Sequence, residues 1–174
     1  VSSAADTSYK PYDNSRYFQY GDYDIHYRVI PAEGARKGRI MMLHGFLCST
    51  YAWRNMAPIL AEAGYECVLA DLPNFGFSTR ESDEMTIVDR EILITELMKS
   101  IASVDEWIIA GHSMGGGVAD MLLSKKGVDI VGVAGREHKQ GHSMYEFIKT
   151  EKGDREDVII KAPEEIIKPG AADI

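Results

Sequence analysis

Four short apolar runs lie along the chain, and they limit the folds open to it. They occupy residues 39–43, 67–70, 107–110 and 130–134, and none alternates between apolar and polar residues. Strands without alternation are typical of a parallel sheet, because helices cover both faces of such a sheet. We therefore expect these four runs to be central strands.

Segments with helical periodicity separate these runs. Apolar residues recur every three or four positions over residues 53–60, 84–102 and 115–126. Pro58 strains a continuous helix, so we expect the first helix to break or start afresh near it. Residues 16–20 and 23–30 precede the first apolar run and have the pattern of two further strands. Alternating strands and helices predict an α/β fold, with a mostly parallel sheet and helices on both faces.

Composition excludes several classes of partner. The chain has 174 residues, of which 45% are hydrophobic, and we expect a single domain over residues 1–174. A net charge of -8 argues against a nucleic-acid partner, because phosphate binding needs basic side chains. No apolar run approaches the roughly 20 residues of a membrane-spanning helix, so we expect no span in this chain. Cys48 and Cys67 form neither a disulfide framework nor a metal-spaced cluster, and we expect no bound metal.

The chain begins with Val1 rather than Met, so we expect it to be a processed or trimmed product. The sequence leaves open whether the protein is cytoplasmic, as in a bacterial cell, or is exported after removal of an N-terminal segment.

One motif carries chemistry. Residues 111–115 read GHSMG, a G-x-S-x-G pattern between an apolar run and a helical segment. A serine on such a tight turn has a strained backbone and holds its hydroxyl above the sheet, provided that its neighbours are small. We therefore predict that Ser113 is a nucleophile; a glycine-rich turn with a capping serine is the alternative. The same GHSM letters recur at 141–144, but Tyr145 follows and polar residues precede, so we reject Ser143.

Three segments together resemble the α/β-hydrolase family: HGF at 44–46, the turn at 71–78, and GHSMGG at 111–116. The resemblance covers about residues 16–135 and is closest to the serine esterases, lipases and lysophospholipase-like members. It implies that Ser113 attacks a carboxylic ester, that the backbone N–H groups of Phe46 and Met114 form the oxyanion hole, and that no cofactor is needed. The implied substrate is a small-molecule or lipid ester. The family's epoxide hydrolases and dehalogenases use Asp at the nucleophile position, so a serine there favours esters. We interpret Asp71 as a turn former, not as the catalytic acid.

The catalytic acid and base are where the chain departs from the family, which places them late in the order Ser, acid, His. Only His138 and His142 follow Ser113, and Glu137 is the one acid placed after a predicted strand end. The self-contained prediction is therefore a triad of Ser113, Glu137 and His142, with His138 as the fallback base. Residues 136–174 form a poorly matched tail, and the family's lid and C-terminal part look reduced or missing.

Three hypotheses follow from this combination of features. The first is a serine hydrolase that cleaves carboxylic esters through an acyl-enzyme on Ser113. The second is a non-catalytic ligand-binding protein on the same fold, because a working base is hard to identify. The third is an incomplete chain of a longer hydrolase, which would carry the acid, the base and the lid elsewhere.

Overall fold

The computed structural model describes residues 4–102, 106–124 and 129–136. Its strands are β1 (Ser15–Tyr20), β2 (Tyr23–Ile30), β3 (Gly38–Leu43), β4 (Tyr65–Ala70), β5 (Glu106–His112) and β6 (Asp129–Arg136). Its α-helices are α1 (Met56–Glu62), α2 (Arg90–Ala102) and α3 (Met114–Ser124), and a short 3-10 helix spans Thr50–Trp53. Each of the four apolar runs lies within a strand, as predicted.

These strands form one sheet in the order β1-β2-β4-β3-β5-β6. The pairs β4–β3, β3–β5 and β5–β6 are parallel. The two early strands extend the sheet with antiparallel pairs, β1 with β2 and β2 with β4. The prediction of a mostly parallel sheet is therefore confirmed. The two early strands, predicted at residues 16–20 and 23–30, form its antiparallel edge.

The central strands are buried on both faces, which explains their unbroken apolar runs. Along β3, Met41 and Leu43 pack into one cluster with residues of α2 and α3. Ile40 and Met42 point the other way and pack against α1. Successive side chains of a strand point to opposite faces, so every position of such a strand must be apolar. The prediction of helices on both faces is confirmed.

The observed starts of α1 and α2 test the helices that the spacing of apolar residues predicted. α1 begins at Met56, after a separate 3-10 helix, so Pro58 lies in the first turn of a new helix as expected. α2 begins at Arg90, not at residue 84, and this part of the prediction is wrong. The backbone N–H of Val88 donates to the Tyr23 hydroxyl at 3.2 Å. Ile87, which a helix starting at residue 84 would place on its apolar face, is 57% exposed.

Candidate active site

Three loops meet at the carboxyl edge of the parallel strands. Asp71 follows β4, His44 follows β3 and Ser113 follows β5. Because β3 lies between β4 and β5 in the sheet, these loops are neighbours despite their separation in sequence. The carboxyl edge of an open parallel sheet is where α/β proteins bind ligands.

Ser113 occupies the junction between β5 and α3, which we call the elbow, in a left-handed conformation, with φ at 54°. Left-handed backbone is costly for a residue other than glycine, and such strain concentrates at functional sites. The Ser113 carbonyl accepts hydrogen bonds from the N–H groups of Gly116 at 2.9 Å and Gly117 at 3.2 Å, so the helix begins immediately after it. The predicted strained backbone at Ser113 is confirmed, and its role as nucleophile stays a prediction.

The glycines that flank Ser113 are required by close backbone contacts. A Cβ atom on Gly111 would overlap the carbonyl of Gly115. A Cβ atom on Gly115 would overlap the carbonyls of Leu43 and His44 at the end of β3. The spacing of the G-x-S-x-G pattern thus allows β5, α3 and β3 to approach one another at this edge.

His44 fixes the start of the loop after β3. Its ring is fully buried, and Nε2 accepts a hydrogen bond from the N–H of Leu72 at 2.9 Å. Nδ1 must then carry the proton, which it donates to the Gly45 carbonyl at 2.7 Å. Burial lowers the pKa of His44, which favours the neutral ring that these two contacts need.

We call residues 44–50 the HGF loop. Gly45 lies against the elbow, because a Cβ atom there would be 2.7 Å from His112 Nδ1. Phe46 follows with its side chain 63% exposed, and Leu47 is 77% exposed with φ at 60°. The loop thus brings Phe46 to the same edge as Ser113 and adds a second strained residue.

Met114, the other predicted oxyanion donor, is the first residue of α3. The first N–H groups of a helix have no partner within that helix and lie at its positive end. The position of Met114 is therefore suited to donate to an oxyanion formed near Ser113.

Asp71 binds backbone, as expected of a turn former, but it also has a side-chain partner that the sequence did not reveal. Its fully buried carboxylate accepts from the N–H of Thr50 at 2.8 Å and from the N–H of Phe77 at 2.9 Å. It also contacts His26 Nδ1 at 2.8 Å, and His26 Nε2 lies 2.7 Å from Ser15 Oγ. A contact between residues 45 positions apart leaves no local sequence signal.

The Ser15, His26 and Asp71 side chains have the order of a catalytic triad, but their surroundings exclude a substrate. Ser15 is only 2% exposed and His26 is fully buried. The His26 ring packs against Tyr12, Tyr17 and Phe77. This buried set is therefore structural and is distinct from the candidate nucleophile.

Several predicted features lie outside the described residues. They are the predicted acid Glu137, the predicted base His142, the fallback His138, the rejected Ser143 and the tail from residue 137 onward. Over residues 4–102, 106–124 and 129–136, no three His, Cys, Asp or Glu side chains are grouped to hold a metal ion. No helix in this same part of the chain has both the length and the apolar character needed to cross a membrane.

Comparison with known proteins identifies the class. The family model for the alpha/beta hydrolase fold matches residues 38–133, which is more than half of the chain. The chain therefore belongs to the α/β-hydrolase family, as its sheet order and its elbow indicate.

Individual relatives differ in kind. Polyneuridine aldehyde esterase from Rauvolfia serpentina is 29% identical over 86 residues, which cover 49% of this chain and 33% of the esterase. A 2,4-diaminopentanoate dehydrogenase from Acetoanaerobium sticklandii is 60% identical over 62 residues, or 36% of this chain and 18% of the dehydrogenase. The matched part thus spans a third or less of either relative. The segments before and after residues 38–133 are each shorter than 62 residues. The match to the dehydrogenase therefore includes part of the region that matches the family model.

Among solved structures, the crystal structure of an epoxide hydrolase from Vigna radiata superposes with a TM-score of 0.61 at 24% identity. The alignment covers 70% of this chain and 39% of that enzyme. At this identity the likeness concerns the fold alone.

Proposed function

We propose that this chain carries the nucleophile half of a serine hydrolase that cleaves carboxylic esters. The observation that supports the proposal best is Ser113, held with φ at 54° between a strand and the amino terminus of a helix. Glycine would occupy this left-handed backbone position at lower cost, so a serine there is unusual. A hydroxyl presented at the sheet edge, beside helix N–H groups, suits attack on a carbonyl.

The proposed reaction has two halves. Ser113 Oγ bonds to the ester carbonyl carbon while a base takes its proton, and the carbonyl oxygen becomes an oxyanion that the Phe46 and Met114 N–H groups bind. The tetrahedral intermediate collapses, the C–O bond to the alcohol breaks, and the alcohol leaves with the proton. Water then attacks the acyl-enzyme in the same way, which releases the acid and restores Ser113. No cofactor enters this scheme.

Exposed apolar side chains near the site favour an apolar acyl group. Phe46, Leu47 and Tyr51 are 63%, 77% and 56% exposed. They lie on or directly after the HGF loop. Clustered exposed apolar residues mark surfaces that bind apolar partners or ligands. A small or lipid-like ester fits this surface better than a charged substrate does.

The identity of the general base that activates Ser113 is also a proposal. Within the chain we assign it to His142, oriented by Glu137, with His138 as the fallback. Loss of a general base typically slows a reaction by about 10²–10⁴-fold. If neither His142→Ala nor His138→Ala slows a Ser113-dependent reaction, the assignment of the base to these two histidines is wrong.

Hydrolysis of p-nitrophenyl acetate tests the proposed function. We expect Ser113→Ala to lower the rate by at least about a hundredfold, because it removes the nucleophile. Ser143→Ala has the same chemistry in the second GHSM copy and is the matched control, expected to stay within about threefold of the wild type. A rate that falls in the Ser143 variant and not in the Ser113 variant would contradict the assignment.

The match to a dehydrogenase raises a second candidate function, an oxidoreductase. Residues 111–116 read GHSMGG after a strand and before a helix, which is the setting of the dinucleotide-binding pattern G-x-G-x-x-G. Ser113 stands at the second glycine, where the backbone must approach the pyrophosphate closely, so the pattern is broken at its most demanding position. Titration with NADH and NADPH, followed by nicotinamide fluorescence, separates the candidates: the hydrolase proposal expects no saturable binding of either.

A further inference from the structure

A buried polar set connects the HGF loop to the antiparallel edge of the sheet. It consists of Ser15 on β1, His26 on β2 and Asp71 after β4. We propose that Asp71 is a positioning residue for the HGF loop, that His26 holds its carboxylate in place, and that Ser15 orients His26. This proposal rests on the proposed function, because the HGF loop carries the expected oxyanion donor Phe46.

Both ends of the HGF loop are anchored on two adjacent residues. At its start, His44 Nε2 accepts from the backbone N–H of Leu72 at 2.9 Å. At its end, the backbone N–H of Thr50 donates to Asp71 Oδ1 at 2.8 Å. Between these anchors the loop is exposed at Phe46 and Leu47. The position of the Phe46 N–H therefore depends on how firmly the Asp71 anchor is held.

The orientation of the Asp71 carboxylate is set by its second oxygen. Oδ2 accepts from the N–H of Phe77 at 2.9 Å and faces His26 Nδ1 at 2.8 Å. Oδ1 is then directed at Thr50. An asparagine has one acceptor oxygen, so its NH₂ group would oppose either the Thr50 N–H or the donors on the Oδ2 side.

Ser15 determines which nitrogen of His26 carries the proton. The Ser15 hydroxyl oxygen accepts from the N–H of Tyr12 at 3.1 Å and lies 2.7 Å from His26 Nε2. The hydroxyl proton can then be donated to Nε2, which leaves the ring proton on Nδ1, facing Asp71. The buried set thus has the same sequence of hydrogen bonds, Ser to His to Asp, as a catalytic triad, but it holds the HGF loop in place.

Two substitutions of His26 separate a positioning role from simple packing. Both His26→Asn and His26→Gln remove the ring from its contacts with Tyr17 and Phe77. The asparagine amide nitrogen reaches approximately where Nδ1 lies and can still donate to Asp71, whereas the glutamine amide reaches the Nε2 position and cannot. Asp71→Asn tests the carboxylate directly. Asp22→Asn, on the exposed turn between β1 and β2, is the control.

Two readouts are measured on each variant. The first is backbone amide hydrogen exchange in a peptide that covers residues 44–50. The second is the second-order rate constant for labelling of Ser113 by a fluorophosphonate. We expect His26→Gln and Asp71→Asn to speed exchange and slow labelling by about tenfold each, the usual effect of one lost hydrogen bond to a charged group. His26→Asn and Asp22→Asn should stay within about threefold of the wild type.

Equal exchange in His26→Asn and His26→Gln would overturn the proposal, as would unchanged exchange in a folded Asp71→Asn variant. If Asp71→Asn does not fold, the His26 pair decides. If the wild type is not labelled at Ser113, the proposed function fails, and hydrogen exchange alone still decides whether Asp71 positions the loop.

Discussion

Ser113 combines a strained backbone with the side chain that the proposed chemistry needs. With φ at 54°, it occupies a region that glycine adopts without a steric penalty. A left-handed non-glycine residue costs on the order of 1–2 kcal/mol. Fold stability and proposed activity therefore make opposite demands at this position.

Substitution of Ser113 tests this conflict. We expect Ser113→Gly to have a higher free energy of unfolding than Ser113→Ala by about 1 kcal/mol, because alanine keeps the Cβ strain and glycine removes it. Urea unfolding of both variants measures the difference. Equal stabilities would mean that the backbone at residue 113 is not left-handed in solution.

The approach of α3 to β3 depends on a glycine with no room for a side chain. A Cβ atom on Gly115 would overlap the carbonyls of Leu43 and His44, whereas a Cβ atom on Gly117, in the same helix, would meet nothing within 4 Å. We expect Gly115→Ala to lower the free energy of unfolding by about 1–3 kcal/mol through overpacking. Gly117→Ala should raise it by about 0.5–1 kcal/mol through helix propensity. Opposite shifts in the thermal midpoint are the expected result, and shifts of the same sign would count against the elbow geometry.

An ion pair fixes the segment between β4 and α2. Glu81 receives two hydrogen bonds from the guanidinium of Arg90 and further ones from the Tyr23 hydroxyl and the Asn74 amide. These contacts, the Arg90 hydrogen bonds first, lower the pKa of Glu81 from 4.5 to about 2. The carboxylate therefore stabilises the fold fully above about pH 4.5, and this contribution is lost as the pH falls towards 2.

The pH dependence of unfolding in Glu81→Gln measures this contribution. We expect the variant to be less stable than the wild type by about 1–3 kcal/mol at pH 7, and the difference to shrink between pH 4.5 and 2. Glu96→Gln is the control, because Glu96 and Lys99 form an exposed pair, which should contribute less than about 1 kcal/mol. A difference for Glu81→Gln that persists unchanged at pH 2 would show that the pair is not its cause.

The sequence predicted correctly those elements whose structure is determined by neighbouring residues along the chain. The strands follow from runs that must be apolar on both faces, and the elbow follows from glycines at fixed spacing. The start of α2 was missed because residues 84–89 have helical periodicity but bond elsewhere, as the Val88 contact with Tyr23 shows. The partnership of His26 and Asp71 was missed for a related reason: it joins β2 to the end of β4, and neither residue has a local pattern that reveals the other.

For the molecule as a whole, the match to one family covers residues 38–133, and the aligned part spans about a third of the esterase relative. Within residues 38–133 lie β3, β4 and β5, the HGF loop and the elbow, to which we assign the proposed binding of a carbonyl and the attack on it. The proposed hydrolysis also requires a base and an acid, which we propose to be His142 and Glu137.

Treatment of the chain with a fluorophosphonate, followed by intact mass and peptide mapping, is the most direct test of an activated serine at the elbow. The proposed function predicts one adduct per chain, located on Ser113 and absent from Ser113→Ala, with labelling retained in Ser143→Ala. Labelling needs both a nucleophilic hydroxyl and a site that stabilises a tetrahedral centre, so an inert capping serine would not react. A folded wild-type chain that gains no adduct, or gains it on a residue other than Ser113, would contradict the assignment.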